Sequence, residues 1–307
     1  MTTSMTAKQN GRLTLALGIA LLVMGAAGWA ASVRADEPAK ELTDEERSNL
    51  EKQAKELKQQ AFPLYRDVNY TAANELLEKS LEIYRRLYPA AKYPDGHLDF
   101  AQSLEIQGIL LQKLGEYGRA ESLYREALEM RKRLYPESKY PDGHPDLVQS
   151  RDLLAAMLRA RGQFDKAEPL YRDAIEMSRK LYPAAKYPNG HPDLALNLSN
   201  LGAMLLRRGE YGKAELLLCE ALDIRKRLYP PDKYPDGHPS LAGDLNNLGA
   251  LLDARGEYGR AELFYYEALR MRRRLYPADK YPDGHPDLAT SLDNLGVLMQ
   301  KRGNFRH

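Results

Sequence analysis

Leu87-Tyr88-Pro89-Ala90-Ala91-Lys92-Tyr93-Pro94-Asp95-Gly96-His97 is the stretch whose reading decides the fold. Its opening tripeptide returns at Leu134, Leu181, Leu228 and Leu275, always 47 residues on. Its closing block returns at Tyr140 to His144, Tyr187 to His191, Tyr234 to His238 and Tyr281 to His285. A fixed period of this size marks a solenoid, in which each unit buries its apolar face only against its neighbours. The 307 residues therefore form one array and not two globular domains, and 43% hydrophobic with 29% charged residues is the composition of a folded chain.

Working outward, the block is punctuation between helices. Tyr-Pro stops the preceding helix, because the residue before Pro is pushed out of the helical region. Asp-Gly supplies a turn. His-Pro then starts a helix with Pro at its first position, where the missing N–H costs nothing. In the unit that begins at His238, Leu241, Leu245, Leu248 and Leu252 give a helix A with one apolar stripe. Arg255-Gly256-Glu257-Tyr258 is a turn, and helix B runs from Gly259 to about Leu275. It ends in Arg272-Arg273-Arg274, cations at the negative end of the helix dipole. These basic runs, with Arg131-Lys132-Arg133 and Arg225-Lys226-Arg227, read as a solvated face. Gly108, Gly202, Gly249 and Gly296 on helix A, with Ala155 in one copy, stand where the helices approach closely. Ala120, Ala167, Ala214 and Ala261 are their counterparts on helix B. Larger residues there would overpack the pair.

Leu-Gly on helix A, Gly-Glu-Tyr at the turn and paired alanines on helix B resemble the tetratricopeptide repeat. The usual unit is about 34 residues; here helix B and the connection are longer. Asn246-Asn247-Leu248-Gly249 and the His-Pro-Asp openings are similar to the longer variant of kinesin light chains. The KYPDGHPDLA wording resembles bacterial arrays, notably of planctomycetes, that precede a caspase-like CHAT domain, which is absent here. The resemblance covers residues 45–307. It implies an all-α fold, a right-handed superhelix of antiparallel helix pairs. The expected boundaries are a divergent first repeat at 45–97, repeats at 98–144, 145–191, 192–238 and 239–285, and a partial repeat at 286–307. The lone last helix points to a shortened gene product, and its apolar residues Leu292, Leu295 and Leu298 to self-association.

The resemblance also implies that helix A lines a groove for a protein or peptide partner. Transferring the inward positions gives three rows. The first is Glu105, Asp152, Ser199, Asn246 and Asp293. The second is Ile109, Ala156, Ala203, Ala250 and Val297. The third is Gln112, Arg159, Leu206, Asp253 and Gln300. Beside them Asn200, Asn247 and Asn294 recur before Leu-Gly. An amide row has both donors and acceptors for a peptide backbone; the alternative use of these side chains is bonding between repeats. The expected function is a non-enzymatic interaction scaffold. The alternative is the sensor arm of a caspase-like protease system whose catalytic domain is missing or separate.

Other chemistries have less support. No nucleophile-and-base pair is visible, so no catalytic residue is assigned. The five repeated histidines do not converge on a metal: stacked helices lie about 8–10 Å apart, and zinc needs its ligands within about 2.3 Å. They read as helix caps or loop bonds, with the Tyr-Pro rings packing along the edge. Cys219 is the one cysteine, which excludes an intramolecular disulfide, and its helical setting prepares it for no catalysis. No cofactor is expected. Residues 1–35 hold Lys8, Arg12 and Arg34 and no acid; without them 45 basic against 43 acidic side chains becomes 42 against 43. A near-neutral chain lacks the basic face of a nucleic-acid binder.

Residues 1–35 read as a targeting segment: a positive start, an apolar run over residues 13–31, and small residues before Asp36. Cleavage near Ala35 would export the array to a periplasmic or extracellular location. Retention would leave a membrane anchor with the repeats outside the cytoplasm. Residues 36–44 are a linker, with Thr43 as N-cap of the first helix.

Overall fold

The computed structural model describes residues 41–304. The expectations for residues 1–35, and for most of the linker, lie outside them. Residues 1–47 and 48–307 are separate compact units. In the first, Thr43 and Glu46 exchange hydrogen bonds: Thr43 N–H donates to Glu46 Oε2 at 2.9 Å and Glu46 N–H to Thr43 Oγ1 at 3.1 Å. This capping box opens α1 (Asp44–Arg66).

Ten further helices follow among the described residues. They are α2 (Tyr70–Leu87), α3 (Leu98–Lys113), α4 (Tyr117–Leu134), α5 (Pro145–Ala160) and α6 (Phe164–Leu181). The rest are α7 (Pro192–Arg207), α8 (Tyr211–Leu228), α9 (Pro239–Ala254), α10 (Tyr258–Leu275) and α11 (Pro286–Asn304). Odd-numbered helices are the A members and even-numbered ones the B members, so five pairs precede an unpaired α11. Contacts run almost wholly between consecutive helices, as in an α-solenoid. No described helix is long and apolar enough to cross a membrane.

The connection between pairs repeats in detail. Tyr93 N–H donates to Pro89 O and Gly96 N–H to Tyr93 O, both at 2.9 Å. Gly96 has φ +87°, which only Gly adopts cheaply, and a Cβ on it would fall 2.2 Å from Met130. His97 then caps α3: its Nδ1 accepts the Asp99 N–H at 3.2 Å. His144, His191, His238 and His285 do the same for the later A helices. Each imidazole also stacks on the tyrosine that ended the previous helix, at 3.5–3.8 Å between ring centres. In three copies that tyrosine O–H donates to the aspartate just capped, as Tyr135 does to Asp146 at 2.8 Å. The repeated histidine is thus an N-cap held by a ring stack.

Within a pair, glycine sets the spacing. A Cβ on Gly249 would fall 2.7 Å from the Tyr265 ring, and one on Gly202 2.7 Å from Leu218. Gly296, on the unpaired α11, would meet nothing within 4 Å. The first pair departs from the pattern at its turn. Val68 stands at φ +61° in the place of Gly115, a conformation that costs a β-branched residue about 1–2 kcal/mol.

G249V is therefore expected to destabilise the array by about 1–3 kcal/mol in urea unfolding. The same change at the equivalent G296V should leave the midpoint near that of the native chain.

Candidate functional site

The A helices present one face that no other described helix covers. The second row expected from the sequence lies along it: Ile109, Ala156, Ala203 and Ala250 are half-buried and Val297 is 48% exposed. Two residues that the sequence reading did not include extend the face. Phe62 and Tyr65 on α1 sit one 47-residue period before Ile109 and Gln112, and that period was the signal that could have found them. With Ile106, Ile109, Ala73 and Leu77 they wall an apolar cavity of about 270 Å³.

The first row does something else. Glu105 is 2% exposed, and its expected place in a groove is corrected. Its carboxylate pairs with Arg131 at 2.8 Å and accepts the Ser150 O–H, from the next repeat, at 2.5 Å. The physical reason lies in the basic runs. Arg131, Arg225 and Arg272 are 4–6% exposed, so this member of each run is interior and not part of a solvated face. A buried guanidinium requires a partner, and Glu105 supplies one. Between the fourth and fifth pairs Ser199 bonds Asp244, which pairs with Arg225 at 2.6 Å. Between the third and fourth, uncharged Ser178 faces Asn197, whose Nδ2 donates to it at 3.2 Å.

The asparagine row is half-buried. Asn200 Nδ2 donates to Asp152 Oδ1 at 2.8 Å and Asn294 Nδ2 to Asn246 Oδ1 at 2.8 Å. Asn247 Nδ2 reaches Ser199 Oγ at 3.4 Å. Each amide nitrogen donates one bond to the preceding repeat, and the Asn Oδ1 takes part in none of these bonds, which leaves an acceptor on each amide. Asp293 is exposed.

The third row is mixed. Gln112 Oε1 accepts the Tyr124 O–H at 2.6 Å, within its own pair. Asp253 accepts from Lys301 Nζ at 2.7 and 2.9 Å, across repeats. Arg159 lies near enough to Asp152 to favour its ionised form, and Gln300 is exposed. The structure thus brings Asp152, Asn200 and Arg159 together, and Asn246 with Asn294. It sets Glu105 apart in the interior.

Burial shifts the acids of these junctions. Desolvation raises Asp152 to about 6, against the opposing pull of Asn200 and Arg159. It raises Asp244 to about 6 as well, against Arg225 and Ser199, and raises Glu105 against Arg131. Among the described residues no three His, Cys, Asp or Glu side chains converge as metal ligands. Cys219 is exposed on α8, with its thiol pushed up by desolvation and nearby acids.

Stacked helix pairs with one uncovered face of A helices define a protein-interaction scaffold of the α-solenoid class. The comparisons make that specific. Tetratricopeptide repeat models match residues 99–180, 198–240 and 245–287, more than half of the chain. The chain belongs to the tetratricopeptide repeat family. Its solved neighbours include BtubC (BKLC) from P. vanneervenii, 28% identical, covering 76% of this chain and 84% of that one at a TM-score of 0.57. A putative kinesin light chain with nearly identical TPR-like repeats from Podosopora anserina shares the fold at 18% identity. The alignment covers 75% of this chain and 97% of that one, with a TM-score of 0.56. A Rap protein complexed with Competence and Sporulation Factor does so at 14% identity, covering 84% and 66%, with a TM-score of 0.52. No curated protein sequence matches the chain.

The raised pKa of Asp152 gives a pH test. An aspartate whose folded value lies near 6, above the unfolded value of about 3.9, favours the fold while protonated and loses that contribution as pH rises through about 6. D152N removes the charge and keeps an acceptor for Asn200. The melting temperature of D152N minus that of the native chain should therefore increase between pH 4 and pH 7 and level off above.

Proposed function

We propose that the uncovered face of the A helices, from the Phe62 cavity along Ala156, Ala203 and Ala250, receives an extended segment of a partner protein. The observation that carries this reading is the unbroken strip at the 47-residue period: large and apolar at Phe62 and Ile109, small through the middle repeats, with the amides of Asn200, Asn247 and Asn294 alongside. Small side chains admit a backbone close to the helices. Acceptors at repeat spacing suit its N–H groups. The Rap neighbour, solved in complex with a factor, supports partner binding as a use of this fold without identifying a partner for this chain.

The structural duties of the asparagines make them poor test sites, because their loss would loosen the junctions. The half-buried alanines serve better. A203E with A250E should abolish capture of cross-linked partners from the native host while preserving helicity. L216E with L263E, at residues 74% and 70% exposed on the B helices, should leave capture intact. The reverse pattern would move the binding face to the B helices.

The location of the array belongs to the same proposal, and its support is the pattern Lys8 to Ala35 alone. N-terminal sequencing of the chain recovered outside the cytoplasm should read from near Asp36. Recovery only inside cells, with Met1 intact, would remove the export reading.

A further inference from the structure

A second feature lies away from the A-helix face. Arg151 on α5 occupies a position that is Leu104, Leu198 and Leu245 in three other repeats, each leucine 0% exposed. A guanidinium carries five N–H donors. This one meets Met177 Sδ, 3.6 Å from Nη1, and Asp173 Oδ2, 4.0 Å from Nε. A thioether is a weak acceptor, and 4.0 Å is beyond hydrogen-bond reach. The side chain is 14% exposed, and burial lowers its affinity for its proton. Substituting Leu by a poorly paired Arg in such surroundings costs stability. Arg151 also borders a cavity of about 340 Å³ between the 135–143 connection, α5 and α6.

The walls define what fits. Three cations line the cavity, Lys132, Arg151 and Lys180. Lys132 pairs with Glu129 at 2.7 Å and Lys180 with Glu176 at 3.0 Å, both at half-exposed sites, whereas Arg151 is the cation set into the wall and the one without a carboxylate in hydrogen-bond reach. Four carboxylates also line it: Glu137, Asp142, Asp173 and Glu176. Acids outnumber bases, which opposes phosphate or a dicarboxylate. One carboxylate, matched to the planar guanidinium fork, is favoured if the same ligand brings a cation for the acids. Tyr140, Leu147 and Met177 provide apolar wall.

We propose that this cavity binds a free α-amino acid with an apolar side chain. Its carboxylate sits on Arg151, its ammonium faces Asp173, and its side chain packs toward Leu147 and Met177. The site is independent of the partner-binding face.

The test uses the full chain and its R151L variant, followed by thermal unfolding and titration calorimetry. R151L restores the leucine of the other repeats, so it is expected to fold and to melt above the native chain. L-leucine or L-phenylalanine at about 10 mM should raise the native melting temperature by about 2 °C or more and leave R151L unmoved. N-acetyl-leucine, which lacks the ammonium, and leucinamide, which lacks the carboxylate, should each bind at least about tenfold more weakly, a loss of about 1.4 kcal/mol. The proposal is overturned if no apolar amino acid shifts the native protein, or if R151L responds equally. It is likewise overturned if inorganic phosphate or N-acetyl-leucine matches the free amino acid.

Discussion

A ring stack repeated five times governs the geometry of this array. The tyrosine that ends one B helix lies 3.5–3.8 Å beneath the histidine that begins the next A helix. The histidine nitrogen pointing into the helix accepts the first free N–H. Stop and start are thus fastened together, so the connection is long without being loose. Every repeat begins at the same point relative to the last, which is why the A helices present equivalent positions along one face. The arrangement requires an unprotonated Nδ1. Burial favours that state, lowering the pKa of His144 and of His238.

Repeats this alike risk stacking out of order, and the junctions differ in chemistry. Of the four that follow the second helix pair, the first holds Glu105 against Arg131 and Ser150. The second holds Asn197 against Ser178, and Asp152 against Asn200. The third holds Asp244 between Arg225 and Ser199. The fourth sets Arg272 on Ser291 at 2.7 Å, and Asn246 on Asn294. Exchanging one repeat for another would leave a buried charge without its partner, at about 3–5 kcal/mol. The ladder on the outside, Arg161 to Glu121, Arg208 to Glu168 and Arg255 to Glu215, is uniform and partly exposed. It adds little to each junction and does not tell one from another.

Two kinds of deviation from the repeat therefore carry different meanings. The polar residues at the junctions vary in matched sets, so their variation is absorbed by packing. Ala156, Ala203 and Ala250 meet no such partner and remain open to a ligand. Arg151 belongs to neither group: it replaces a core leucine and gains no adequate partner within the chain.

The sequence by itself determined the repeat, its period, the all-α class and the helix pairs, because helix stops, Asp-Gly turns and Pro-led starts are local signals. The close approach at Gly202 and Gly249 was legible from size alone. The direction in which each row points was decided only by the tertiary structure. Glu105 and Ala156 both read as groove residues, yet one is sealed against Arg131 while the other lies on the open face. Arg131 and Arg133 read as one basic run, though only the first is buried. Neither distinction is local. A side chain's partner across a junction comes from 19 to 48 residues away, and its exposure depends on the angle at which one helix pair settles on the next.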